Sequence, residues 1–189
     1  EILIGLVGSE MCIRDRPRIV PKIKRIVLMG GAYTNGNVTP AAEFNIIADA
    51  DAAYVCFTAG RPITMIGLDV TRKALCYPSI VDRMDKIGNK ASKLFVDLMR
   101  HFCKSQKEVF GWEGGPLHDP ITIAWLIDPS VVKTKPMHAE IDIRSVQSYG
   151  RTNCDFFGYQ KLEPNVDVGI DIDADKFWDM VEEVLKMYD

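Results

Sequence analysis

A chain of 189 residues with 47% hydrophobic content is long enough to bury a substantial core, and its length fits one domain or a large piece of one. Charged residues make up 26% and the formal net charge is only -3, which leaves no electrostatic footprint for nucleic acid or an anionic membrane surface and points to a small ligand. No apolar stretch reaches the roughly 20 residues a membrane span requires, the opening EILIGLVGSEMCIRDR lacks the features of a secretory signal, and a cytoplasmic location is the default expectation.

Residues 1–16 hold a short apolar run that breaks into MCIRDR with no period carried downstream, and they read as a leader unrelated to the fold of residues 17–189. The basic stretch from Arg14 to Arg25 reads as solvated surface. IVLMGG has the consecutive apolar residues of a strand buried on both faces of a parallel sheet. Asn35, Gly36, Asn37 and Pro40 mark a loop, and AEFNIIADADAAYVCFTA has the composition of a helix that Gly60 and Pro62 stop. PITMIGLDV reads as a second buried strand. Ile80, Met84, Ile87, Ala91, Leu94, Leu98 and Phe102 then recur at helical spacing, which predicts one long amphipathic helix.

GWEGGPLHDP is a loop ending in Asp119 before Pro120, an order that suits an N-cap and first helical position for ITIAWLI. MHAEIDIRSVQSYG and RTNCDFFGYQ read as strands or a hairpin, VDVGIDID alternates like a strand, and Phe177, Trp178, Val181, Leu185 and Tyr188 stripe a final helix. This alternation predicts an α/β fold with an open, mainly parallel sheet flanked by helices.

Three clusters carry candidate chemistry. Met29, Gly30 and Gly31 fall at the carboxyl end of the first strand, where open α/β sheets bind ligands, although a Gly-Gly pair also serves plain turn geometry. GNVTPAAEFN places Asn37, Glu43 and Asn45 around one loop-to-helix junction, a mixture of donors and acceptors suited to a polyhydroxylated ligand; the alternative is helix-start residues facing water. Phe44 beside them reads either as core or as support for a ring. His118 can protonate a leaving group and Asp119 can bind a hard cation, while Asp119 also reads as a simple N-cap. DIDAD at 171–175 mimics the start of a calcium loop, but Lys176 occupies the required glycine, so Asp173 reads as a helix cap. The five cysteines form no CxxC pair and read as reduced thiols.

Taken together, IVLMGGAYTNGNVTPAAEFNIIADADAA, PITMIGLDVT, GGPLHDP and VDVGIDIDADKFW closely resemble the nucleoside hydrolase family, the inosine-uridine-preferring type in particular, from about Pro17 onward. The resemblance implies an enzyme that hydrolyses the N-glycosidic bond of ribonucleosides to ribose and free base in purine or pyrimidine salvage. Asn37, Glu43 and Asn45 match positions that hold ribose hydroxyls, Met29 one that lines the sugar pocket, and Phe44 would pack beside the ribose. His118 matches the family's proposed acid, which tilts the expected substrates towards inosine and uridine, and Asp119 matches one carboxylate ligand of a tightly bound calcium ion. These two stretches are expected to face each other across one crevice, and a homo-oligomer is expected of the intact protein.

One departure matters. The family's amino-terminal aspartate cluster, DxDxxxDD, is absent, and residues 1–16 resemble none of it. Calcium takes six to eight oxygen ligands, so the expectation is a truncated piece, inactive by itself and without tight calcium, that exposes sheet edges and apolar surface. The alternative is a non-catalytic nucleoside- or ribose-binding protein, a degenerate paralogue that holds its ligand without cleaving it.

Overall fold

A computed structural model of the chain describes Ile13 and residues 17–188. The expectation of an unrelated leader therefore lies outside the described residues, apart from Ile13, which is buried in the core of the first of two compact units. The first unit takes in the described residues up to Val70 together with Lys133–Asp171, and the second takes in Thr71–Val132 together with the described residues from Ile172.

After a short 3-10 turn, Pro17–Lys22, β1 (Ile26–Met29) forms, and a helical region follows the loop as expected. It is two helices, α1 (Phe44–Ala48) and α2 (Ala50–Phe57). Asp49 breaks it by taking a non-helical backbone and accepting from Ala52 N at 2.9 Å, which restarts the helix. Next come β2 (Ile63–Ile66) and the single turn α3 (Leu68–Thr71). β1 and β2 pair in parallel, Ile26 opposite Ile63 and Met29 opposite Ile66.

The second unit begins with β3 (Leu75–Cys76), α4 (Pro78–Asp85) and α5 (Lys90–Phe110). The predicted single helix is thus split. Gly88 sits at φ 77° and Asn89 caps α5 through Ser92 N at 2.8 Å, local signals that a hydrophobic stripe alone overrides. The buried face of α5 is Ser92, Val96 and Met99, whereas the predicted Leu94 and Leu98 are 62% and 61% exposed. β4 (Gly115–Pro116) pairs antiparallel with β3, and α6 (Pro120–Ile127) starts where Pro120 places it.

β5 (Val132–Met137) has no counterpart in the sequence reading. Its Lys133, Lys135 and Pro136 obscure a strand pattern, yet suit the end of a sheet, where an absent N–H does no harm, Lys133 is exposed, and Lys135 Nζ donates to Phe156 O at 2.6 Å. β6 (Ala139–Ile141) and β7 (Thr152–Cys154) form the expected hairpin, and β8 (Val166–Ile172) and α7 (Ala174–Lys186) complete the chain.

The principal sheet has the order β1-β2-β8-β5. β8 is parallel to β2, while bonds from Asn165 N to Met137 O and from Asp173 N to Val131 O run β5 the opposite way. The fold is α/β with a mixed sheet flanked by helices. On one face of the sheet, Ile26, Leu28, Ile63, Met65, Val166 and Val168 alternate inward and pack with Ile46, Ala50, Ala53, Cys56 and Phe57 of α1 and α2. This burial fixes both the carboxyl end of β1 and the start of α1. In the second unit, Val81, Met84, Val96, Met99, Ile121, Phe177 and Trp178 are buried. An apolar groove of about 890 Å³, with Ile123, Ile127, Val184 and Met187 on its walls, runs along α6 and α7.

Candidate active site

The chain turns at Gly30 and Gly31 as it leaves β1. Gly31 has φ 73°, and a Cβ there would lie 2.8 Å from Thr152 Cγ2, so this left-handed position requires glycine. Three side chains then hold the emerging backbone. Glu43 Oε2 accepts from Gly31 N at 2.8 Å. Thr152 Oγ1 accepts from Ala32 N at 2.9 Å and donates to Ala32 O at 2.7 Å. Asp69 Oδ2 accepts from Tyr33 N at 2.7 Å, and Asp69 Oδ1 accepts from the Thr34 hydroxyl.

The loop that follows is equally constrained. A Cβ on Gly36 would lie 2.1 Å from Ala42 O, a separation no side chain tolerates. Asn37 N and Val38 N both donate to Ala42 O at 3.2 Å, and Thr39 Oγ1 accepts from Ala42 N at 2.9 Å. This tight course delivers Asn37 to the start of α1, where Asn37 Oδ1 accepts from Phe44 N at 2.8 Å.

Glu43 is the N-cap of α1. Its Oε1 accepts from Asn45 N at 2.9 Å, and its Oε2 accepts from Ile46 N at 3.2 Å as well as from Gly31. Asn45 Nδ2 in turn donates to Met29 Sδ at 3.1 Å and Met29 O at 3.3 Å. Met29, Asn37, Glu43, Phe44 and Asn45 therefore meet at one junction, tied through hydrogen bonds within the first unit.

The reading of Glu43 as a helix-start residue facing water is half right: it starts the helix, but it is only 2% exposed. Three of the roughly four acceptor positions of a carboxylate are occupied by backbone, leaving one on Oε1. Asn37 Nδ2 and Asn45 Oδ1 have no hydrogen-bond partner among the described residues. Phe44 is 61% exposed and not core. The junction thus offers a donor, two acceptors and an outward aromatic ring.

In the second unit, β3 and β4 carry the loop that presents His118 and Asp119. A Cβ on Gly114 would lie 2.7 Å from Cys76 O, and one on Gly115 would lie 2.6 Å from the Phe102 ring. Cys103 Sγ accepts from Gly115 N at 3.2 Å and donates to Cys76 O at 3.3 Å. His118 Nδ1 lies 2.7 Å from Thr71 Oγ1. Burial pushes the His118 imidazole below its ordinary pKa, the Asp119 carboxylate opposes this, and the Arg72 cation adds to it. The net effect favours the neutral ring.

Asp119 is not the side-chain cap its sequence position predicts. Its own backbone is already helical, φ -64° and ψ -40°, whereas a capping side chain needs extended backbone to reach the next N–H groups. Its carbonyl accepts from Thr122 N at 3.0 Å, and its exposed carboxylate has no hydrogen-bond partner among the described residues. Trp112 stacks on Phe110 at 4.8 Å and lies under the Arg72 guanidinium at 5.5 Å, and Phe102 packs on Gly115, so both aromatics already have structural partners.

DIDAD behaves as a helix start: Asp173 Oδ1 accepts from Lys176 N at 3.0 Å. Among the described residues no group of three or more His, Cys, Asp or Glu side chains gathers where it could hold a metal ion. Cys56, Cys76, Cys103 and Cys154 are free thiols, and burial pushes Cys76 and Cys154 up to about 12. Asp69, Thr71 and Thr152 escaped the sequence reading because their bonds reach 36, 47 and 120 residues along the chain, beyond any local pattern.

Replacing Glu43 by Gln puts an amide donor where backbone N–H groups already point. We expect Glu43→Gln to cost about 2–3 kcal/mol of stability, read as a lower urea midpoint; an unchanged midpoint would show that the carboxylate is not the tie.

The sequence model of a family described as inosine-uridine preferring nucleoside hydrolase matches residues 10–179. The pyrimidine-specific ribonucleoside hydrolases RihB of Shigella flexneri and Escherichia coli O157:H7 are each 48% identical over 97% of this chain and 58% of their own length. The chain thus spans a little over half the length of these curated relatives. Among solved structures, a purine-preferring ribonucleoside hydrolase from Gardnerella vaginalis superposes with a TM-score of 0.86 at 30% identity, covering 98% of this chain and 60% of that one. A plant nucleoside hydrolase, at 24% identity, shares the fold with a TM-score of 0.85 over 96% of this chain and 59% of its own. With residues 10–179 matched by that sequence model, this protein belongs to the inosine-uridine preferring nucleoside hydrolase family.

Proposed function

We propose that the intact protein hydrolyses the N-glycosidic bond of ribonucleosides, releasing ribose and free base, with pyrimidine ribonucleosides as its preferred class. The observation that carries this reading is the junction at which Met29, Asn37, Glu43, Phe44 and Asn45 meet. Vicinal hydroxyls each need one donor and one acceptor, and Asn37 Nδ2, Asn45 Oδ1 and the remaining site on Glu43 Oε1 supply that mixture. Phe44 supports the sugar ring. As the bond to the base lengthens, positive charge builds on the ribose, and the Glu43 carboxylate stabilises it. His118 interacts with the departing base, making it a better leaving group. The relatives at 48% identity are named pyrimidine-specific, which supports the choice of base.

Calcium is the cofactor the family implies. Among the described residues Asp119 is a single exposed carboxylate and no group of three candidate ligands forms. That donor set does not fit an ion requiring six to eight oxygens, so no step here runs through the metal. The same observation favours a second reading for this 189-residue chain by itself, a nucleoside or ribose binder without turnover.

For the intact protein, base release from uridine is expected to exceed that from inosine in kcat/KM; the reverse order would overturn the pyrimidine assignment. His118→Ala should slow uridine hydrolysis by roughly 10² to 10⁴-fold while sparing a riboside whose leaving group needs no help. Equal losses on both substrates would remove His118 from the role. Calcium titrated into the 189-residue chain should bind more weakly than micromolar, and micromolar or tighter binding followed by calorimetry would refute the donor count.

A further inference from the structure

We infer that the Thr71 hydroxyl sets the tautomer of His118: it donates to Nδ1, so the single proton of the neutral ring sits on Nε2. Thr71 is then a positioning residue for the acid, an inference that rests on the reading of His118 given above.

The 2.7 Å separation of Thr71 Oγ1 and His118 Nδ1 does not by itself say which atom donates. The surroundings of Thr71 do. It is the last residue of α3 and 0% exposed, and among the described residues its hydroxyl has no other hydrogen-bond partner. Elsewhere in this chain helical threonines send their proton to a carbonyl one turn back, as Thr58 does to Tyr54 O at 2.8 Å and Thr122 to Asp119 O at 2.7 Å. Thr71 makes no such bond.

A hydroxyl carries one donor and two acceptor positions. Were Nδ1–H to donate to Thr71, the hydroxyl proton would be buried with no acceptor. With the hydroxyl donating to Nδ1, its proton is satisfied and only lone pairs stay idle, which structures tolerate far better. The penalty on an unmet buried donor corresponds to a bias of roughly 5- to 150-fold.

The consequence reaches the other ring nitrogen. Nε2 has no hydrogen-bond partner among the described residues. Carrying the proton there, the ring offers a donor while neutral. A neutral N–H can hydrogen-bond the nitrogen or oxygen on which a departing base accumulates charge.

The sequence contains three histidines, so nitrogen NMR of the 189-residue chain labelled in histidine can resolve each ring, with His118→Gln assigning the signal. The expected result is an unprotonated Nδ1 shifted upfield by a hydrogen bond and a protonated Nε2. Thr71→Ser should preserve that pattern, and Thr71→Val should move Nδ1 to the position of a free acceptor. A protonated Nδ1 in the parent chain, or an Nδ1 unmoved by Thr71→Val, would overturn the inference; should the valine variant fail to fold, the parent and serine spectra decide.

In the intact protein Thr71→Val should lower kcat on uridine by about tenfold with KM little changed, spare an activated riboside, and be rescued by Thr71→Ser. Equal losses on the two substrates would reduce Thr71 to a structural residue. If His118→Gln changes neither rate, the role of His118 falls while the tautomer, read by NMR alone, stands.

Discussion

One buried carboxylate holds the first unit's candidate site together. Glu43 binds the N–H groups of Gly31, Asn45 and Ile46 at once, which joins the end of β1 to the start of α1 in a single electrostatic tie. Hydrogen bonds to charged acceptors are worth about 1.5–3 kcal/mol each, and a buried carboxylate deprived of them is costly. The tie fixes the junction because it has few alternatives. Asn45 carries the tie on to Met29, and Asn37 anchors the Phe44 N–H beside it.

The rest of the architecture serves the same end by different means. Thr152 and Asp69 bind the backbone beyond Gly31, so the loop after β1 is gripped from β7 and α3 as well as from α1. In the second unit the equivalent work falls to close packing. Gly114 against Cys76 and Gly115 against Phe102 leave no room for a side chain, and the Cys103 thiol bridges strand and helix. One loop is held by charge and the other by contact, yet both present short polar side chains on backbone that cannot drift.

Much of this could be read from the sequence because its signals are local. Consecutive apolar residues identify β1 and β2, Pro120 marks the start of α6, and alternation marks β8. GNVTPAAEFN announces its junction because every residue in it lies within ten positions of the others. Where a local signal competes with a longer pattern, the pattern misleads. The apolar period through Leu94 and Leu98 carries over the break at Gly88 and Asn89, and helix-forming alanines hide the interruption at Asp49. The capping role of Glu43 is also hidden, since glutamate is not a favoured N-cap; the longer side chain is needed because it must reach Gly31 too. Asp69, Thr71 and Thr152 act across distances that only the folded chain closes.

The grip on the loop after β1 has a thermodynamic consequence. Conformational freedom lost on association normally subtracts from affinity, about 0.5–1.5 kcal/mol for each side chain immobilised. Here Asn37 and Asn45 are already anchored, each by one end of its amide, with the opposite end left over. A polar molecule arriving at this junction finds its partners frozen beforehand, so little entropy remains to be surrendered. Weak individual contacts can then add up to useful selectivity.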